Sequence, residues 1–348
     1  MEGKKKNLAS VIVMLALIAL TLIALFRGQN ISDIWAAMKT ANPAYILLAV
    51  AAVMAFLFGQ GFIFRFMFAI LKQTTTLIKC ISYSFKGYFF CSVTPFAIGG
   101  PPAQILYMVR DNLPAPIASM VVLIVATIYK LVLIIIGFGL IIFGQPFIAA
   151  YLSSAVVLMG IGLFLACGFC FVLFMFMFHP RLAKKAIFKF FRWLERKHLM
   201  KHKDGKEEAI EVNMARYTQT AAFLKKHLGS MIIMVLLTFL QRFCLFFVTY
   251  CVYRAFGLSG TPLMRIILMQ ATISICVDML PIPGGVGVTE ALFGKVFSSV
   301  FSQATMLPAL TLSRGISYYV QLLFCVAFTF ITKYAFKGKH KKKNAAKA

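Results

Sequence analysis

Acidic residues are scarce in this sequence, which has 10 Asp and Glu against 36 Lys and Arg in 348 residues. Charged residues of both signs make up only 13% of the chain, whereas soluble domains carry about a quarter. Hydrophobic residues make up 61%, and the mean hydropathy is +0.87. This balance excludes an ordinary soluble globular protein and predicts a protein embedded in a membrane.

Motifs of the common enzyme classes are also missing. The sequence has no Walker phosphate-binding loop, no GxSxG nucleophile elbow and no Cys and His cluster with zinc-like spacing. Cys167 and Cys170 form a CxxC pair, but they lie within an apolar run, where small packing residues are expected. We therefore assign no catalytic residue, no metal ligand and no cofactor.

Six apolar runs reach the roughly 20 residues that a helix needs to cross a bilayer. They are Leu8–Phe26, Tyr45–Leu71, Ile117–Phe143, Leu152–Phe178, Met231–Ala255 and Leu307–Tyr334. The first resembles a signal peptide at its start, but its apolar run exceeds the usual ~7–15 residues and no cleavage site follows cleanly. We interpret it as a retained span.

Two shorter apolar segments, Leu77–Thr94 and Leu263–Leu280, run into turns rich in glycine and proline. The turns read TPFAIGGPP at Thr94–Pro102 and LPIPGGVG at Leu280–Gly287. If both segments crossed the bilayer, the basic segment His179–Gly229 would face outside, against the positive-inside rule. If each instead enters and returns as a re-entrant hairpin, all the basic clusters share the cytoplasmic side.

Three spans separate the two hairpins, so they are expected to enter from opposite faces of the membrane. The sequence therefore predicts an all-α polytopic membrane protein with about six full transmembrane helices and two oppositely oriented re-entrant helical hairpins, a pattern compatible with an inverted repeat. Residues 1–348 form one integral membrane domain. Within it, 179–229 is a basic amphipathic segment on the cytoplasmic surface, and 335–348 is a basic cytoplasmic tail.

The formal net charge of +26 does not indicate nucleic acid as a partner. Of the 36 Lys and Arg, 13 lie in His179–Gly229, 7 in Lys333–Lys347 and 3 in Lys4–Lys6, all beside apolar spans. Such clusters are topology signals that also attract anionic lipid, and no nucleic-acid recognition motif accompanies them. The predicted partners are the membrane and its phospholipids.

Ionisable residues inside apolar segments are costly and indicate candidate functional positions. Half-helices that begin after glycine turns also present free N–H groups, which suit a phosphate. The candidate substrate-binding residues combine both features: Lys86, Thr94, Gly99, Gly100, Arg110, Lys130, Arg242, Asp278, Gly284, Gly285, Glu290 and Arg314.

Cations outnumber carboxylates in this set. If Arg242 pairs with Asp278, and Arg314 or Lys130 pairs with Glu290, at least one cation remains for an anionic guest. A phosphate would suit this surplus, and an amine on the same head group would suit a carboxylate. The alternative is that these residues form closed structural pairs that hold helices together.

At these motifs the chain resembles the membrane region of the lysylphosphatidylglycerol synthase/flippase family, of the multiple-peptide-resistance-factor type. The motifs are TPFAIGG followed by QILYMVR, and PIPGGVGVTEALF, and the resemblance runs roughly from Leu8 to Tyr334. It implies movement of aminoacylated phosphatidylglycerol between leaflets of the bacterial cytoplasmic membrane. The family's soluble transferase domain has no counterpart in these residues, so we expect no transferase activity from the chain alone.

Several functional interpretations stay open. The first is a phospholipid translocase for anionic or aminoacylated phospholipid, which would work with a separate aminoacyl-transferase or form a homo-oligomer. The second is a secondary transporter of a small or isoprenoid-linked anion. The third is a component of a phosphatidylglycerol lysyltransferase system whose catalytic domain is on another chain. A membrane-embedded transferase with Asp278 or Glu290 as base, and a non-catalytic scaffold, complete the alternatives.

The positive-inside rule gives a direct prediction of topology. Both termini and the segment 179–229 should be cytoplasmic, because the three basic clusters require a common side. A cysteine introduced as Lys203→Cys should therefore resist a membrane-impermeant maleimide in intact cells and react after the cells are opened. Labelling of position 203 from outside would contradict the predicted threading.

Overall fold

The computed structural model describes residues 39–94, 97–153, 155–179, 217–220, 227–280 and 287–329, with seven single residues besides: Ser32, Ala36, Ala222, Ile282, Gly285, Ile331 and Thr332. The predicted span Leu8–Phe26, the tail 335–348 and nearly all of the basic segment 179–229 lie outside these residues. Within the described ranges, the regular secondary structure is helical throughout.

We number the principal helices in chain order. They are α1 (Pro43–Ile70), α2 (Leu77–Val93), α3 (Gly100–Arg110), α4 (Ala115–Phe143), α5 (Val156–Phe178), α6 (Leu228–Ala255), α7 (Leu263–Val277), α8 (Val288–Val296) and α9 (Gln303–Arg314). A short helical stretch, Gln145–Phe147, and a π-helical turn, Ile148–Leu152, connect α4 to α5. Helix α9 continues through a second π-helical turn, Gly315–Val320, to residue 329.

Five of the described helices are long and apolar enough to cross a membrane: α1, α4, α5, α6, and α9 with its continuation. They correspond to five of the six spans that the sequence predicts. The predicted fold class, an all-α multi-pass membrane protein, is confirmed.

Local sequence explains where several of these helices begin. Asn42 precedes α1, and its side-chain oxygen accepts a hydrogen bond from the Ala44 amide at 3.0 Å, which caps the first turn. Helices α1, α3 and α4 each carry a proline in the first turn. The missing proline N–H costs nothing there, because the first N–H groups of a helix have no intrahelical partner.

Helices α1 and α6 form an antiparallel pair that organises the rest of the fold. The Asn42 amide at the start of α1 donates to the Ala255 carbonyl at the end of α6, at 2.8 Å. Near the middle of both helices, Gln241 Nε2 donates to the Phe56 carbonyl at 3.2 Å. The 28 residues of α1 make a rod of about 42 Å. We call the Asn42 end of this pair the first side and the Ile70 end the second side.

Helices α2 and α3 form an antiparallel hairpin, hairpin 1, that starts and returns near the second side. At its open end, the Tyr83 hydroxyl donates to Asp111 Oδ2 at 2.6 Å, and the Lys86 ammonium lies 4.2 Å from the Tyr107 ring centroid. Towards its tip, Gly100 packs against the side chain of Cys91. The chain therefore reverses between α2 and α3.

Helices α7 and α8 form hairpin 2, which starts and returns near the first side. The Thr261 amide, just before α7, donates to the Tyr253 hydroxyl at 2.8 Å. Phe301, just after α8, lies 5.9 Å from Tyr253, measured between ring centroids. At the tip, Gly285 has φ +64°, and a Cβ atom there would overlap Val277, so this turn requires glycine. The two hairpins thus start from opposite ends of α1.

Helix α7 is enclosed by its neighbours, with eight of its fifteen residues buried. The closest approach is to α5, where a Cβ atom at Gly162 would overlap the Ile275 carbonyl oxygen. Small residues allow such backbone proximity between membrane helices. Gly160, two residues earlier on α5, has no neighbouring atom within 4 Å of where its Cβ would stand.

This contrast predicts different effects of one substitution at two sites on α5. Gly162→Ala should lower the free energy of unfolding by about 1–3 kcal/mol, because the new methyl group must push α7 away. The matched variant Gly160→Ala should be neutral or stabilising by up to ~1 kcal/mol, since alanine favours the helix. Thermal unfolding in detergent micelles measures both. Equal stability of the two variants would contradict the packing of α5 against α7.

Candidate functional site

Several hydroxyl groups in the spans are satisfied within their own helix. Thr127 donates to the Leu123 carbonyl and Thr238 to the Met234 carbonyl, each at 2.8 Å. This back-bonding is a common way to bury threonine in a helix and needs no ligand. The polar groups with functional potential are therefore those that contact other helices.

The first such contact is at the tip of hairpin 2. Asp278 follows the last turn of α7, and one of its carboxylate oxygens binds the Lys130 ammonium from the middle of α4. The other oxygen accepts a hydrogen bond from the Tyr129 hydroxyl. The Lys130 and Asp278 side chains are only 10% and 11% exposed. Buried ion pairs of this kind persist when both charges are hydrogen-bonded.

Arg242, in the middle of α6, lies beside this pair without joining it. Its guanidinium carbon is 3.8 Å from the centroid of the Tyr129 ring and 5.1 Å from that of Phe56. Its Nε atom is buried, and no described atom accepts a hydrogen bond from it. Stacking on aromatic rings stabilises a guanidinium but leaves its in-plane donors unused. Arg242 therefore offers hydrogen-bond donors to an anionic guest.

A hydrogen-bonded group next to Arg242 extends to hairpin 1. Gln241 Nε2 donates to Gln60 Oε1 at 2.9 Å and to the Tyr88 hydroxyl at 3.1 Å. Tyr88 belongs to α2, and its hydroxyl also donates to Gln60 Oε1 at 3.3 Å. Hairpin 1 therefore reaches the middle of the α1–α6 pair, where Arg242 lies.

The second carboxylate binds on the other side of hairpin 2. Glu290, in the first turn of α8, accepts hydrogen bonds from Arg314 Nε at 2.9 Å and from the Gly287 amide. One turn beyond Arg314, the Tyr318 hydroxyl donates to the Ser92 carbonyl near the tip of hairpin 1, at 3.0 Å. Helix α9 and its continuation thus contact the tip regions of both hairpins.

We call these six residues the central cluster: Tyr129, Lys130, Arg242, Asp278, Glu290 and Arg314. It contains three cationic side chains and two carboxylates, a formal excess of one positive charge. The sequence analysis considered Arg242 as a partner of Asp278, but Lys130 binds that carboxylate instead. Arg314 does pair with Glu290. The cation left over is Arg242.

The remaining predicted positions of the two turns lie at the hairpin tips. Thr94 Oγ1 donates to the Phe90 carbonyl at 2.7 Å and accepts from the Gly99 amide at 2.9 Å, so it closes the turn before Gly100. Gly285 forms the turn of hairpin 2. Gly284 lies outside the described residues.

Lys86 and Arg110 do not join the central cluster. Both lie against the Tyr107 ring at the open end of hairpin 1, with the Lys86 ammonium 4.2 Å and the Arg110 guanidinium carbon 5.5 Å from its centroid. Asp111 is the nearby carboxylate and is engaged by Tyr83. The candidate cations from the sequence are therefore divided between two places.

The candidate residues from the sequence did not include five contributors: Gln60, Tyr88, Tyr129, Gln241 and Tyr318. Each carries a hydrogen-bonding group within an apolar helix, and such a group needs a partner when buried. That requirement is the signal that could have identified them. Among the described residues, no group of three or more His, Cys, Asp or Glu could hold a metal ion.

A family model described as "Lysylphosphatidylglycerol synthase TM region" matches residues 7–325 of the chain. The match includes both hairpins and every residue of the central cluster. No curated protein matches the chain.

The Lys130–Asp278 pair gives a prediction about stability. Lys130→Met removes the cation and leaves a buried carboxylate without its countercharge, so the free energy of unfolding should fall by about 3–5 kcal/mol. The double variant Lys130→Met with Asp278→Asn should recover most of this loss, because no charge is then left unpaired. Thermal unfolding in detergent compares the three proteins. A double variant as unstable as the single one would show that the pair does not hold α4 to hairpin 2.

Proposed function

This chain belongs to the lysylphosphatidylglycerol synthase TM-region family, and from that premise we propose that it is a phospholipid translocase. Its cargo would be phosphatidylglycerol-type lipids, aminoacylated forms such as lysyl-phosphatidylglycerol included. The protein would move the head group of the lipid between the two leaflets while the acyl chains stay in the hydrocarbon region. The observation that carries the proposal is the half-buried side chain of Arg242, whose Nε is buried without an acceptor among the described residues.

The chemistry of Arg242 suits a lipid phosphate. A guanidinium presents its donors in one plane, and this matches the oxygens of a phosphodiester. Tyr129 and Phe56 lie against the guanidinium, so the group loses little freedom when it binds. The phosphate would also neutralise the one positive charge in excess.

We further propose that both hairpins are re-entrant in the membrane and that their tips form the floor of the head-group pathway. Two features support this proposal: the hairpins start from opposite ends of α1, and contacts from α4, α6 and α9 meet near their tips. Irregular backbone at membrane depth survives only where protein or water satisfies it. A polar pathway between two such turns meets that condition and opens towards either leaflet.

The proposal places the protein in the bacterial cytoplasmic membrane with both termini in the cytoplasm. Aminoacylated cargo would come from a separate aminoacyl-transferase, because we assign no transferase site to these residues. Lys86, Tyr107 and Arg110, which we call the Tyr107 group, would lie nearer the cytoplasmic leaflet. There the two cations would attract lipid phosphates to hairpin 1. A solute transporter for small or isoprenoid-linked anions is the competing function that the transport assay must separate.

Arg242→Gln tests the proposal directly. We expect the variant in liposomes to translocate phosphatidylglycerol about 10- to 100-fold more slowly, because a hydrogen bond to a charged group contributes about 1.5–3 kcal/mol. A leaflet-resolved assay with a fluorescent lipid measures the rate. The matched control is Arg254→Gln at the end of the same helix, where the arginine lies against Tyr45 and outside the central cluster.

The control should retain the original rate, and both variants should unfold at similar temperatures. If Arg242→Gln translocates lipid at the original rate, Arg242 does not bind the phosphate and the proposed site is wrong. If the unaltered protein moves no lipid but carries a soluble phosphate ester, it is a solute transporter instead.

A further inference from the structure

Protein donors already bind both carboxylates of the central cluster. Asp278 holds the Lys130 ammonium and the Tyr129 hydroxyl, and Glu290 holds the Arg314 guanidinium and the Gly287 amide. These are the only acidic residues in the sequence from 228 to 329, and there is none from 112 to 178. An ammonium group on a substrate would therefore have to displace or crowd a protein cation.

The net charge of the central cluster also disfavours a substrate that carries an additional ammonium group. Phosphatidylglycerol carries one negative charge, which would cancel the single positive charge in excess in the central cluster. Alanyl-phosphatidylglycerol has no net charge and would leave that excess unchanged. The lysyl derivative carries a net positive charge and would add to it. Where the dielectric constant is low, an uncompensated charge is strongly unfavourable.

The Tyr107 group has the same imbalance. Lys86 and Arg110 are two cations beside one carboxylate, Asp111, and Lys86 is only 8% exposed. No described acceptor hydrogen-bonds the Lys86 ammonium. A cationic head group would thus meet an excess of positive charge at the open end of hairpin 1 as well as at the centre.

We infer that the central cluster selects an anionic phosphodiester head group, such as that of phosphatidylglycerol, over its cationic aminoacylated derivative. This inference rests on the proposed translocase function and narrows its cargo. Arg242 recognises the phosphate. An additional ammonium would meet the excess positive charge and find both carboxylates already bound by Lys130 and Arg314. The sequence alone suggested that an amine would suit a carboxylate, and the occupied state of both carboxylates reverses that expectation.

The test uses the purified full chain in phosphatidylcholine liposomes. Three lipids with the same fluorescent acyl chain are compared: phosphatidylglycerol, alanyl-phosphatidylglycerol and lysyl-phosphatidylglycerol. We expect phosphatidylglycerol to move fastest, the alanyl lipid at an intermediate rate, and the lysyl lipid at least about tenfold more slowly than phosphatidylglycerol. A fourth arm measures uptake of soluble glycerophosphoglycerol, which presents the same phosphodiester without acyl chains, and we expect none.

Two variants separate recognition from folding. Arg242→Gln should slow phosphatidylglycerol and bring its rate to about that of the lysyl lipid, whereas Arg254→Gln should keep both rates. Thermal unfolding of each variant identifies any that fail to fold.

Each outcome decides the inference. If the lysyl lipid moves as fast as phosphatidylglycerol or faster, the selectivity is wrong but the translocase function stands. If no lipid moves at all, or only the soluble phosphodiester is carried, the proposed function fails together with the inference.

Discussion

A charge buried among apolar helices must meet an opposite charge or a hydrogen-bonding guest, and the centre of this protein is arranged around that requirement. Lys130, Arg242 and Arg314 come from three different spanning helices, and only two carboxylates are present to meet them. Both carboxylates lie on hairpin 2, one at the end of α7 and one at the start of α8. The ion pairs therefore attach this hairpin to α4 and α9, and Arg242 Nε has no acceptor within the part of the chain that the structure describes.

The two hairpins form because turns rich in glycine and proline interrupt the apolar helices. At the second turn, Gly285 adopts a left-handed conformation that permits the reversal, and Glu290 satisfies an amide at the start of the returning helix. At the first turn, Thr94 performs a similar task for the Gly99 amide. Thr94 and Glu290 thus each satisfy one backbone amide at a hairpin tip.

Hydrophobic length was enough to predict the five spans within the described residues, and glycine and proline were enough to predict the two helix reversals. The re-entrant placement that the distribution of lysine and arginine favours stays a prediction. Which cation meets which carboxylate was not predictable. Lys130 and Arg242 both lie near the middle of a span, so their position along the helix does not show which of them binds Asp278. That pairing depends on how each helix is rotated about its own axis. The separation of Lys86 and Arg110 from the central cluster was unpredictable for a related reason. Both lie against Tyr107 at the open end of hairpin 1, and sequence position near a turn does not reveal this.

The central claim is that the guanidinium of Arg242 is the receptor for a lipid phosphate. The most direct measurement is an experimental structure of the full chain in nanodiscs that contain phosphatidylglycerol. We predict density for a head group between the two hairpin tips, with a phosphate oxygen about 3 Å from Arg242 Nε and the Lys130–Asp278 and Arg314–Glu290 pairs intact. A protein acceptor on Arg242, with the lipid phosphate bound elsewhere, would contradict the account.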